Sequence, residues 1–93
     1  MTVDRFGIQE TCEKLGVEPT FVVRCIRARW IRPAGPAFEL DEEDVARVGL
    51  VRELQETLGV NDDSVPIILD LIDRLHFLEN RLRRAGRRPI PLT

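Results

Sequence analysis

Arg24, Arg27, Arg29 and Arg32 crowd into one short stretch of the chain, and guanidinium groups that dense suit phosphate oxygens. Arg24 and Arg27 are three apart, so on a helix they share a face that could follow a nucleic-acid backbone. Set against them are two groups of carboxylates: Glu39, Asp41, Glu42, Glu43 and Asp44, then Asp62, Asp63, Asp70 and Asp73. Carboxylates so placed either cap helices and offset their dipoles or receive a basic partner. Nothing comparable supports catalysis. Tyr is absent and His76 is the single His, which leaves few general acid–base groups. No Ser/His/Asp or Cys/His arrangement is spaced to converge, and no glycine-rich loop could cradle a phosphate. Cys12 and Cys25 have no second pair beside them, so no zinc spacing exists. They read as small buried side chains rather than a disulfide. The expectation is a non-enzymatic binding protein that needs no cofactor and no metal.

The whole chain has 93 residues, a net charge of −2 and 43% hydrophobic residues, which fits one small globular domain. A core this size is modest, and a partner could add much to it. The near-neutral total hides a segregation. Residues 1–38 carry six basic and four acidic groups, residues 39–80 three basic and twelve acidic, and residues 81–93 five Arg and no acid. An acidic protein is not drawn to nucleic acid by its overall field, though a local basic patch could still bind it. The apolar runs are too short to span a bilayer. No basic stretch followed by an apolar run opens the sequence. The expected location is the cytoplasm.

Periodicity supplies four helices to carry these groups. Ile8, Thr11, Cys12 and Leu15 share one face, and Gly16 breaks the helix after them. Glu18-Pro19 starts a second helix bearing Val22, Val23, Ile26 and Trp30, with Pro19 in the first turn. Together residues 8–30 read as a helix-turn-helix. Pro33, Gly35 and Pro36 exclude a helix over 31–40, where Trp30-Ile31 and Phe38-Glu39-Leu40 suit a small hairpin or wing. Asp41 looks like the N-cap of a third helix over 41–58, with Glu42, Glu43 and Asp44 in its first turn. That helix carries Val45, Val48, Val51, Leu54 and Leu58 inward. A long fourth helix runs over 62–84 and begins at Asp62 or Asp63. Arg81, Arg83 and Arg84 lie in its last turn, and the tail over 85–93 is expected to be loose.

The fourth helix carries a broad apolar stripe. Ile68, Leu75 and Leu82 lie on one line, Leu71 and Leu78 on the next, with Val65 and Ile72 beside them. Such width exceeds what one neighbour covers in a protein this small. One edge is expected to pack on the first three helices and the other on a second copy of the chain. The homodimer interface is therefore placed at Ile68, Leu71, Ile72, Leu75, Leu78 and Leu82. Phe77 falls off the stripe, where it could meet the second copy or a partner, and His76 beside it reads as a partly exposed side chain.

This order of elements, all-α with a wing, resembles the MerR-like winged helix-turn-helix superfamily. The resemblance is carried by Ile8-Gln9-Glu10, by Gly16-Val17-Glu18-Pro19 at the turn, by Ile31-Arg32-Pro33, and by Asp41-Glu42-Glu43-Asp44-Val45. Leu58-Gly59-Val60-Asn61-Asp62, Val65 to Leu71, and Asp73-Arg74-Leu75-His76 are similar to a narrower group, the chaperone modulatory proteins of the CbpM type. The resemblance implies binding to a J-domain co-chaperone of the DnaJ or CbpA type, and so restraint of its work with the Hsp70 DnaK. DNA-binding relatives in the superfamily usually carry an Arg followed by two aromatic residues in the second helix and an Arg in the wing. Aligned on Gly16-Val17, the three helix positions are Val23, Arg24 and Cys25, and the wing position is Phe38. The alternative reading, a small DNA-binding regulator, rests on Arg24, Arg27, Arg29 and Arg32. The acidic residues Glu39, Asp41, Glu42, Glu43, Asp44, Asp62, Asp63, Asp70 and Asp73 are the candidates for the J-domain surface.

Overall fold

The computed structural model describes residues 5–33, 35 and 39–86. Four helices form in the order α1 (Ile8–Leu15), α2 (Pro19–Arg27), α3 (Glu42–Glu56) and α4 (Val65–Arg84). The described chain is all-helical apart from one isolated antiparallel bridge.

α1 and α2 make the helix-turn-helix. Thr11 is buried, and its hydroxyl donates to the Gly7 carbonyl at 2.9 Å. Gly16 ends α1 with φ 67°, a left-handed conformation that glycine adopts at little cost. Both Gly16 and Val17 donate to the Cys12 carbonyl there, at 2.8 and 3.1 Å. Pro19 opens α2, where its missing N–H costs no internal bond. Asp41 caps α3 reciprocally: its carboxylate accepts from the Asp44 N–H at 2.8 Å, and Asp44 accepts from the Asp41 N–H at 3.2 Å. That box satisfies two backbone donors which would otherwise lack partners.

The core gathers Cys12, Val22, Cys25, Trp30, Ile31, Leu40, Val45, Val48, Val51, Val65 and Leu69. α1 approaches α3 closely at Gly49, where an added Cβ would stand 3.4 Å from the Leu15 side chain. Arg52 ties the same two helices, since its guanidinium donates to the Leu15 carbonyl. α4 runs antiparallel to α3: Gln55 meets Asp62, Arg47 meets Asp73, and Glu43 shares a notch with His76.

Several expectations need correction. α2 ends at Arg27 rather than reaching Trp30. Trp30 and Ile31 are not extended; their N–H groups fold back onto the Cys25 carbonyl at 3.0 and 3.4 Å, and both side chains are buried. Leu40 does not pair with them. Its N–H and carbonyl bond to Phe6, at 2.8 and 2.7 Å, so the N-terminal segment supplies the strand partner that the hairpin reading sought in Trp30-Ile31. Residues 34 and 36–38 of the expected wing lie outside the described residues. α3 stops at Glu56, and Leu58 is 68% exposed instead of facing the core. α4 begins at Val65, not at Asp62 or Asp63, with Ser64 in the cap position and Pro66 in the first turn. A separate turn precedes it, in which the Ser64 N–H donates to the Asn61 side chain at 2.9 Å. Ala85 and Gly86 form the turn that closes α4, and the remainder of the expected loose tail lies outside the described residues. No helix among the described residues is long and apolar enough to cross a membrane.

Candidate interaction surfaces

The α2 face was expected to offer Arg24 and Arg27 together. The structure separates their roles. The Arg24 guanidinium donates to Gln55 Oε1 at 2.7 Å and lies 3.8 Å from Asp62 Oδ1. Gln55 in turn donates to Asp62 at 2.6 Å. The same guanidinium sits 5.4 Å from the Phe21 ring and 5.9 Å from the Trp30 ring, within reach of cation–π attraction. Arg24 is therefore engaged by its own protein, through α3 and the turn before α4. Arg27, Arg29 and Arg32 are exposed, and none takes part in an ion pair among the described residues.

Arg29 has φ 61°, a conformation usually left to glycine. It holds the position after the α2 cap. Its N–H donates to the Ile26 carbonyl at 3.1 Å while that of Trp30 reaches Cys25 at 3.0 Å, the double bond of a Schellman ending. Burial of Trp30 against Cys25 supplies the apolar contact that accompanies this ending.

The acidic candidates divide in the same way. Asp41 and Asp44 are spent on the cap of α3, and burial raises the Asp44 carboxyl above its ordinary value. Asp62 joins the Arg24–Gln55 network. Asp70 pairs with Arg74 at 3.2 Å. Asp73 receives both arms of Arg47, at 2.9 and 3.0 Å. The hydrogen-bonded Arg47 guanidinium holds the Asp73 carboxyl below its ordinary value, and the Asp73 carboxylate in turn raises Arg47 above its own. Glu39, Glu42, Glu43 and Asp63 are exposed and take no part in an ion pair among the described residues.

Arg47 was missed by sequence reasoning. Its Nε donates to the Trp30 carbonyl at 2.8 Å while its two other nitrogens hold Asp73. One side chain thus joins the end of α2, α3 and α4. Its partners lie 17 and 26 residues away, so no local spacing marks it.

On α4, Val65 and Leu69 are buried and Ile68, Ile72 and Leu82 are half-buried. Leu71, Leu75 and Leu78 are exposed, as are Ile67 and Phe77. At about 100° per residue, Val65, Leu69, Ile72 and His76 form the face toward α3. Ile67, Leu71, Leu75, Leu78 and Leu82 form a second, open edge. Ile67 and Leu69 were not part of the expected stripe. The open edge continues past the start of α3, since His76 already lies beside Glu43, and α4 runs on to Arg84 for about 12 Å more. The Phe77 ring is capped there by Arg81 at 5.9 Å.

The two cysteines are free and buried. Burial pushes the Cys25 thiol up to about 11 and also raises Cys12, so both stay protonated and unreactive near neutral pH. No cluster of His, Cys, Asp or Glu among the described residues could hold a metal ion.

Compared with known families, the sequence matches over residues 6–86 the family described as MerR HTH family regulatory protein. No curated protein and no solved structure matches it.

Proposed function

The chain belongs to the MerR HTH family of regulatory proteins, and we propose that it acts there by binding a protein rather than by reading DNA. On this reading it is a non-enzymatic modulator that binds the J-domain of a DnaJ- or CbpA-type co-chaperone and limits that co-chaperone's access to the Hsp70 DnaK. The observation that carries the reading is the capture of Arg24. A guanidinium that bonds Gln55 and lies beside Asp62 and two aromatic rings belongs to the protein's own α2–α3 network, which gives Arg24 a role other than holding phosphate. The exposed Glu42 and Glu43 at the start of α3 meanwhile suit a basic protein surface. The choice of a J-domain rests on the resemblance of residues 58–62, 65–71 and 73–76 to the CbpM type. The site of action on this reading is the cytoplasm, where the co-chaperone works.

A homodimer formed along Ile67, Leu71, Leu75, Leu78 and Leu82 belongs to the same proposal. Ile67, Leu71, Leu75 and Leu78 are exposed along this row and Leu82 is half-buried, and exposed apolar side chains gathered on one edge are a recurrent mark of an interface.

The test is DnaK ATP turnover stimulated by the co-chaperone. The chain is expected to lower the stimulated rate in proportion to its concentration and to leave the unstimulated rate unchanged. An undiminished stimulated rate at saturating chain contradicts the proposal. A second reading, a small DNA-binding regulator, is favoured by Arg27, Arg29 and Arg32, which are exposed and in no ion pair among the described residues. It requires duplex binding that weakens with salt at a slope of about −0.9 per phosphate contacted, and a mobility-shift titration at low salt separates the two readings.

A further inference from the structure

Between α3 and α4 lies a shallow notch of about 130 Å³, lined by Glu43, Ala46, Leu50, Ile72 and His76, with the Arg47–Asp73 pair forming one wall. Ala46 is exposed, and Leu50 and Ile72 are half-buried, so apolar atoms meet water in a furrow between two antiparallel helices. Along α3, Glu43, Ala46, Leu50 and Glu53 follow helical spacing and share one face. The carboxylates therefore flank the apolar floor at both ends. Glu42, Glu43 and Glu53 are exposed and in no ion pair among the described residues. Two nearby arginines are committed, Arg47 to Asp73 and Arg74 to Asp70, while Arg29 and Arg32 border the outer side of Glu43 in a separate depression.

We propose that this furrow is the docking site for a basic amphipathic helix of the partner protein. The inference rests on the reading of the chain as a protein-binding modulator and adds to it the place and the chemistry of the contact. A furrow between two helices accepts the ridge of a third. Its floor takes small apolar side chains, and its rim takes cations. Glu43 and Glu53 stand about 15 Å apart along α3, so the incoming helix carries Lys or Arg at two points separated by between two and three turns, with apolar residues between them. A second copy of the chain has a different edge to use, since Ile67, Leu71 and Leu78 turn away from α3.

Two titrations of the full-length, isotope-labelled chain test the proposal. The first uses a designed basic amphipathic helical peptide and its Lys→Glu counterpart, read by amide chemical shifts. Shifts are expected over Glu42–Leu50 and Ile72–His76 with the basic peptide alone. The second uses the co-chaperone's J-domain against the wild type and against Ala46→Arg, an exposed substitution that keeps helix propensity and whose fold is checked by circular dichroism. Affinity for both ligands is expected to fall about tenfold or more, and Glu43→Lys is expected to act in the same direction. Peptide shifts gathered on α2 or along Ile67, Leu71 and Leu78, or full affinity in folded Ala46→Arg, overturn the furrow and leave the modulator reading standing. A peptide that enters the furrow while no J-domain binds removes the J-domain and leaves the furrow. Failure of both ligands to bind removes both.

Discussion

Arg47 shows why single residues matter in so small a protein. It spends its donors on the Trp30 carbonyl and on both oxygens of Asp73, and nothing else among the described side chains joins α2, α3 and α4 in this way. Asp73 is half-exposed, and solvent screens the pair, so its worth is about 0.5–1 kcal/mol. Because Arg47 lowers the Asp73 carboxyl, that contribution is present above the ordinary carboxylate value of 3.8. It is lost as pH falls through the lowered one. Asp73→Asn is therefore expected to reduce stability at neutral pH by about that amount and to make no difference in strong acid; urea melts across the acid range check it. Asp73 was legible as an exposed carboxylate on the fourth helix. Its partner was not, since pairing at a distance of 26 residues leaves no periodic mark. The Arg24 capture was hidden for the same reason: the sequence places Arg24 beside Arg27, while the fold sets Gln55 and Asp62 against it.

At the scale of elements, helix interiors were read well and helix ends less well. The apolar spacing of α1, the Pro19 start of α2 and the Asp41 cap of α3 are local signals, and each produced its element. The end of α2 depended on a residue type that gives no warning. Arg29 occupies the left-handed position normally given to glycine, held there because Trp30 is buried beyond it. Replacing it by glycine relieves a strain of about 1 kcal/mol, offset in part by the greater freedom of glycine in the unfolded chain. Arg29→Gly is thus expected to stabilise the fold by about 0.5 kcal/mol or slightly more, measured by denaturant midpoint. At the other end of the wing, Leu40 pairs with Phe6. A bridge between residues so far apart cannot be inferred from the alternation within 31–40. At the start of α3, Asp41→Ala removes one half of a reciprocal cap and is expected to cost about 1 kcal/mol in the same assay.

Across the whole molecule, α4 has more apolar surface than the remaining helices cover. The sequence indicated this excess through the width of the stripe, and it assigned one edge inward and one outward. Which residues fall on which edge depended on the rotation of α4, fixed by Val65, Leu69 and the Arg47–Asp73 clip. That is why Ile67 and Leu69 escaped the initial assignment. If the outer edge joins two copies, the double substitution Leu71→Glu and Leu78→Glu is expected to halve the mass measured by light scattering without reducing helical content. A single-chain mass before substitution, or a two-chain mass that the substitutions leave unchanged, would contradict this interface. The charge distribution follows the same division: carboxylates edge the furrow beside α3, while Arg81, Arg83 and Arg84 stand at the far end of α4. The central claim is that this MerR HTH family chain works by holding a J-domain. Calorimetric titration of the chain with the J-domain of its co-chaperone tests that claim most directly. Saturable binding with one J-domain per chain is the result expected, and no heat of binding at tens of micromolar, with salt-sensitive binding to duplex DNA in its place, would contradict it.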